Sequence, residues 1–270
     1  MIVFIFTNCQ GAVLKNLLPS SFEVYVKHNY FYINNTSLED DICNLLKTCD
    51  YFIYQPLYSY PVYNTDNLKT YLKPTCRPIS FPYIYNNAFT PLFKSFKRDV
   101  VINGEYGKHG IDDVQYYNVE PIIVLKKKGL SLDDILLQYK NNEIDFCYKE
   151  RFEDSINRLQ QKEINTDVTV SQFIIDNHTK HRLFNYNYSH NNYTTCNHPS
   201  NILITHYVIQ IFHIMGVEPI ILTDFNQLIG ETTYVSRYDI AYYNYEWAQT
   251  ETDGFDIRIK QLITEIYNIY

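Results

Sequence analysis

Two side chains in this sequence have the chemistry of a group-transfer site: the thiol of Cys9 and the imidazole of His198. Cys9 follows an unbroken apolar run, Ile2 to Phe6. It precedes a segment, Gln10 to Leu18, in which Val13, Leu14, Leu17 and Leu18 share one helical face before Pro19 stops it. A thiol there stands where a buried strand turns into a helix. The helix start directs unpaired N–H groups and partial positive charge at the sulfur, which lowers a thiol pKa and favours the nucleophilic thiolate. The residues alone leave open the plainer alternative of a small buried thiol. His198 lies in Asn197-His-Pro-Ser200, ahead of a long apolar-faced segment. With Pro199 at the first helical position, His198 falls at the cap and faces any anion bound at the terminus. A packing or capping role is again the alternative. His178-x-x-His181 offers two ligands with no carboxylate at a fixed offset, so no metal site is expected.

The elements that must position these groups follow from the pattern. Ile2 to Phe6 reads as a strand buried on both faces. Phe22 to Tyr32 holds a second strand, with Phe22, Val24 and Val26 alternating, and Ser37 to about Cys49 a capped helix. Tyr51 to Tyr54 is a short strand ending at Gln55-Pro56, Thr65 to Leu72 a brief helix, and Ile79 to Tyr85 a strand broken at Pro82. This alternation predicts an α/β fold, a parallel sheet flanked by helices on both faces, with additional helices in the second half. Pro121 to Leu125 reads as a strand whose solvated end carries Lys126-Lys127-Lys128. Asn103 to Gly110 reads as a glycine-rich loop, and Ser131 to Tyr139 and Glu150 to Glu163 as surface helices. Ile204, Tyr207, Val208, Ile211, Phe212 and Met215 form the face of a long helix ended by Gly216. Pro219 to Leu222 reads as a late strand and Asp256 to Ile269 as a final helix. With no repeat and no linker, residues 1–270 are expected to form a single α/β domain, with about 130–195 a helical and loop elaboration within it.

Composition narrows the function classes. A net charge of −7 lacks the basic footprint of a nucleic-acid partner. The apolar start is too short for a signal peptide and has no basic flank. The most apolar stretch, Ile202 to Leu222, is broken by His206, Gln210, His213, Glu218 and Pro219, so no membrane span is expected. A soluble cytoplasmic protein follows as the expectation. Six cysteines at 9, 43, 49, 76, 147 and 196, with no C-x-x-C pair, read as free thiols. The 27 tyrosines, with abundant Asn, Ile and Lys, reflect AT-rich codons. Tyr and Asn also suit a sugar-binding surface, and the two explanations are compatible. Nothing in the sequence sets the oligomeric state.

Four blocks carry a resemblance. Phe4-Ile-Phe-Thr-Asn-Cys-Gln-Gly11 resembles the strand–G-N-C-Q–helix opening of the WcbI-like polysaccharide biosynthesis family, and Asp50 to Pro56 its strand ending in Gln-Pro. Asp167 to Asp176, Arg182-Leu-Phe184 and Asn197-His-Pro-Ser200 resemble its late block, and Ser80 to Pro91 is similar in layout to its proline and aromatic strand. The resemblance spans residue 1 to about 216. It implies an SGNH-hydrolase-like three-layer fold, coenzyme A or acetyl-coenzyme A as donor without a metal, and acyl transfer to a sugar or glycan acceptor. Cys9 takes the place of that fold's strand-end nucleophile, and His198 is the expected general base. Asn8, Gln10 and Asn87 are candidates to stabilise an oxyanion, and Gln55 is expected on the same edge. Lys180 and Arg182 are candidates for the coenzyme A phosphates, and Asp176 or Asp224 for orienting His198. Thr7 stands where the family usually has Gly, which is expected to tighten the turn and leave less room for an acyl group. Deacylation, transfer of another group such as methyl, and non-catalytic glycan binding are the alternatives.

Overall fold

The fold was obtained as a computed structural model. It describes all residues except 33, 90, 97–100, 103–104, 107–113, 185–197, 219–236 and 247–252. Its centre is a parallel four-stranded sheet of β1 (Ile2–Thr7), β2 (Glu23–His28), β3 (Tyr51–Tyr54) and β4 (Arg77–Ser80) in the order β2-β1-β3-β4. Because all pairings are parallel, the carboxyl ends of the four strands lie along one edge, and the switch in strand order at β1 marks where on that edge such sheets bind ligands.

The continuous apolar run of β1 has a direct structural cause. Val3 and Ile5 enter one core with Ile53 and Ile79, and Phe4 and Phe6 enter another with Phe52 and Tyr54. Helix α1 (Cys9–Leu17) covers the first face through Val13, Leu14 and Leu17. Helices α2 (Asp40–Thr48) and α3 (Thr65–Lys69) cover the second through Ile42, Leu46 and Leu68. The expected sheet with helices on both faces is therefore present. Beyond it come β5 (Phe93–Phe96), the short pair β6 (Val101–Ile102) and β7 (Glu105–Tyr106), and β8 (Val114–Tyr117), which pairs antiparallel with β5.

The second half is helical: α4 (Glu120–Lys127), α5 (Leu132–Lys140), α6 (Tyr148–Glu163), α7 (Ser171–Asn177), α8 (Asn201–Met215), α9 (Arg237–Tyr243) and α10 (Asp253–Ile269). Ser131 and Asp134 close a capping box on α5, and Gly216 ends α8 in the left-handed region at φ 71°. The buried Glu163 at the end of α6 accepts from the backbone N–H groups of Val170 and Ser171, at 2.6 and 2.8 Å, and so caps α7. Asp167 Oδ2 accepts from Ser80 N and Oγ, at 2.8 and 2.7 Å, tying the lead into α7 to the end of β4.

Three sequence expectations change. Pro121 to Leu125 is helix, not strand: Pro121 lies in the first turn of α4, where its missing N–H costs nothing, and only Ile122 is buried. The lysine run is the basic last turn of that helix and the cap after it. β4 stops at Ser80, and residues 81–85 continue outside the strand, with Phe81 N still donating to Tyr54 O of β3 at 3.1 Å. Pro199 is not the first residue of α8; Ser200 is the N-cap. Most of Asn103 to Gly110, the Tyr-rich loop from 185 to 195, and Pro219 to Leu222 lie outside the described residues.

Candidate active site at the carboxyl edge of the sheet

The turn from β1 into α1 is built by side chains locking backbone. Asn8 is the N-cap, its Oδ1 accepting from Gln10 N at 2.9 Å. Gln55, at the end of β3, accepts from Asn8 N through Oε1 at 2.9 Å and donates through Nε2 to Gln10 Oε1 at 2.9 Å. Gln10 donates to Ile84 O at 2.6 Å and accepts from Ile84 N at 3.1 Å. The two glutamines thus join three consecutive crossings of the sheet edge. Gln10 is fully buried and Gln55 nearly so. Their amides are directed at each other and at backbone, which makes them the frame of the turn rather than groups facing a ligand.

Cys9 is the first residue of α1 and partly buried. Burial pushes its thiol pKa up, against the lowering effect of the Cys9 and Gln10 backbone N–H groups. The helix-terminus effect is present but smaller, so the resting side chain is the thiol, contrary to the expected depressed pKa. Tyr207 of α8 donates to Gln10 O at 2.9 Å and stacks on Phe81, with centroids 5.5 Å apart. Thr7, where the family usually has Gly, is accommodated by its neighbour in the next turn. Its buried side chain packs beneath α1, where a Cβ added to Gly11 would lie 2.0 Å from Thr7 Oγ1. Gly11 is the small residue that accommodates Thr7.

Two polar atoms at this edge are buried with no hydrogen-bond partner among the described residues: Nδ2 of Asn8 and Nδ1 of His28. Asn8 as a whole is 8% exposed. His28 ends β2 opposite Thr7 in register, and its ring meets the Asn8 backbone. Its pKa is lowered chiefly by burial, so the ring is neutral at pH 7. His28 was missed in the sequence; its signal is a polar residue closing an alternating strand at the carboxyl edge. Buried orphan polar groups of this kind are rare and point to a missing partner such as a ligand or water.

His198 is half-buried, and burial lowers its pKa, so its imidazole is also a neutral base at pH 7. It precedes the N-cap Ser200 by two residues, because Pro199 forms an antiparallel bridge with Phe184 and Ser200 N donates to Leu183 O at 2.8 Å. That bridge clips Arg182-Leu-Phe184 to His-Pro-Ser200. Phe184 in turn packs on Phe89, centroids 5.7 Å apart, on the segment that follows β4.

The remaining candidates are held by local contacts or exposed. Asn87 Oδ1 accepts from Ser155 Oγ at 2.9 Å, anchoring its segment to α6. Arg182 Nε donates to Phe184 O at 3.3 Å, Lys180 is exposed, and the exposed Asp176 accepts from Gln172 on its own helix. Asp224 lies outside the described residues. Tyr83 and Tyr85, flanking the inward Ile84, face a cleft of about 330 Å³ closed by Ser155, Arg158, Leu159 and Lys162 of α6. Lys162 Nζ lies 4.9 Å from the Tyr83 ring centroid. The described residues contain no cluster of three or more metal-ligating side chains and no helix long and apolar enough to cross a membrane.

Residues 2–219 match the family model of the polysaccharide biosynthesis enzyme WcbI. The chain belongs to the WcbI family. A solved structure of WcbI, described as a novel polysaccharide biosynthesis enzyme in a native form without a disulfide bond between coenzyme A and one of its cysteines, superposes with a TM-score of 0.71. That match has 14% identity and covers 100% of this chain and 90% of the other. No curated protein matches the chain. The family match ends shortly after α8, so the WcbI pattern covers the sheet, the Cys9 turn and the His-Pro-Ser200 bridge.

Proposed function

We propose that the protein transfers an acyl group, such as acetyl, from coenzyme A to a hydroxyl or amine of a sugar or glycan. The observation that carries the reading is the pairing, at one helix start on the carboxyl edge, of the Cys9 thiol with the unpartnered amide donor of Asn8. The WcbI relative supports the donor, since its description sets coenzyme A against a cysteine.

In the proposed reaction the thioester carbonyl lies over the start of α1. His198, neutral at pH 7, takes a proton, either from Cys9 or from the acceptor hydroxyl. In the covalent route the Cys9 thiolate attacks the carbonyl, coenzyme A leaves as its thiol, and the acceptor oxygen then displaces Cys9. In the direct route the acceptor oxygen attacks the thioester itself. Both pass through an oxyanion, which the Asn8 amide stabilises by donating from a position that needs no reorganisation. The raised Cys9 pKa means the thiol reacts only when a base assists it. Tyr83 and Tyr85 offer a stacking wall, and Arg158 and Lys162 offer cations to an anionic group of donor or acceptor. The chain acts as one α/β unit of 1–270.

The test is an acyl-transfer assay with Cys9→Ala and His198→Ala. Loss of transfer in both, with an acyl adduct on Cys9 in the wild type, supports the covalent route. Retained transfer in Cys9→Ala alone supports the direct route. Sugar binding that survives both substitutions, with no transfer by the wild type from any acyl donor, overturns the enzyme reading in favour of a glycan-binding module.

A further inference from the structure

At the opposite, amino edge of the sheet two thiols meet. Cys49 caps the C-terminus of α2 just before β3, and Cys76 immediately precedes β4. The two strands are neighbours, joined here by Arg77 N donating to Asp50 O at 2.9 Å. Across this join the Sγ atoms lie 3.6 Å apart, both as free thiols. The pair is asymmetric. Cys49 is fully buried, while Cys76 is partly exposed. Either sulfur can donate in this contact. A donating Cys49 S–H and the Lys73 ammonium favour a Cys76 thiolate, while burial and the Asp50 carboxylate oppose it, the net direction of its pKa being downward. Lys73 is fixed by its ion pair to Asp50 at 2.6 Å and a bond to Thr48 O at 2.9 Å.

We propose that Cys76 and Cys49 form a redox dithiol that reacts with small disulfides of the glutathione type, Cys76 attacking and Cys49 resolving. An accessible thiol with thiolate character beside a buried partner is the arrangement such chemistry needs. In the first step the Cys76 thiolate attacks one sulfur of oxidised glutathione, and one glutathione thiolate leaves. In the second, Cys49 gives up its proton and attacks Cys76 Sγ of the mixed disulfide, and the second glutathione leaves. Two protein thiols are oxidised and one disulfide is reduced to two thiols. Closing the gap from 3.6 Å to a bond of about 2.0 Å requires the sulfurs to approach by less than 2 Å. The bond spans 27 residues of chain and fastens the entry of β4 to the end of α2, so it stabilises the fold. It lies at the far end of the strands from Cys9, and it holds whether or not the transfer reading does.

Reduced protein is equilibrated with oxidised and reduced glutathione at graded ratios, alkylated, digested and read by mass spectrometry. The expected product is a peptide pair linked through Cys49 and Cys76, with a Tm several degrees above that of the reduced protein. Cys49→Ser is expected to stop at a glutathione mixed disulfide on Cys76, and Cys76→Ser to give neither species. Should a variant fail to fold, the wild-type digest alone decides. Both cysteines recovered as alkylated thiols at every ratio, or a linked form with a lower Tm, would overturn the proposal.

Discussion

Asn8 carries two separable groups in one side chain. Its Oδ1 caps α1, while its buried Nδ2, which has no partner among the described residues, is the proposed oxyanion donor. Ser caps a helix about as well as Asn but carries no amide donor. Asn8→Ser should therefore leave Tm nearly unchanged while lowering kcat of the proposed transfer by about 100- to 1,000-fold, the range found for loss of one oxyanion donor. Equal activity would remove Asn8 from the chemistry. The pH profile is a second check. Burial lowers the His198 pKa below 6.5, so the base form persists into mild acid, and the acid limb of kcat/KM should fall below pH 6.5. Gly11 and Thr7 form a third residue-scale pair. Gly11→Ala places a Cβ within 3 Å of three Thr7 atoms and should cost about 1–3 kcal/mol in chemical denaturation. Thr7→Gly clears that space, so the double variant should be more stable than the sum of the two single losses. Strict additivity would show that the packing is not as described.

Among elements, what could be read from sequence was what local periodicity determines. The β1 run is apolar because both of its faces are buried, and α1 shows its stripe because only one side meets the sheet. Pro121 to Leu125 could not be assigned by the same means: a five-residue apolar run has no period that separates strand from helix, and proline is tolerated in a first helical turn. His198 stood out in the sequence as a candidate, but its setting did not. The Phe184–Pro199 bridge is a pairing across 15 residues of chain, and it moves the cap from His198 to Ser200. Gln10 and Gln55 were legible as edge residues, yet their mutual bond depends on β1 and β3 being neighbours. The capping of α7 by Glu163 was equally hidden. Glu163→Ala strips acceptors from two backbone N–H groups and should destabilise the protein by about 1–3 kcal/mol.

At the scale of the whole molecule, one core cluster runs from Val3 in β1 to Ile266 in α10. Three partly buried histidines bear on its acid tolerance. His28, His198 and His206 all have pKa values lowered chiefly by burial, whereas in the unfolded chain they titrate near 6.5. The unfolded chain therefore binds more protons below that value. Their contribution is complete above pH 6.5 and is lost as pH falls toward the folded values. The urea midpoint should drop between pH 7.5 and pH 5.5, and a flat or rising midpoint would contradict the burial of these rings. Whether coenzyme A engages the protein at the start of α1 is decided by alkylation with iodoacetamide, read cysteine by cysteine. Saturating coenzyme A should slow modification of Cys9 at least several-fold while leaving Cys43 and Cys147 at their unliganded rates. Cys9 alkylating at the same rate with and without saturating coenzyme A would contradict the assignment.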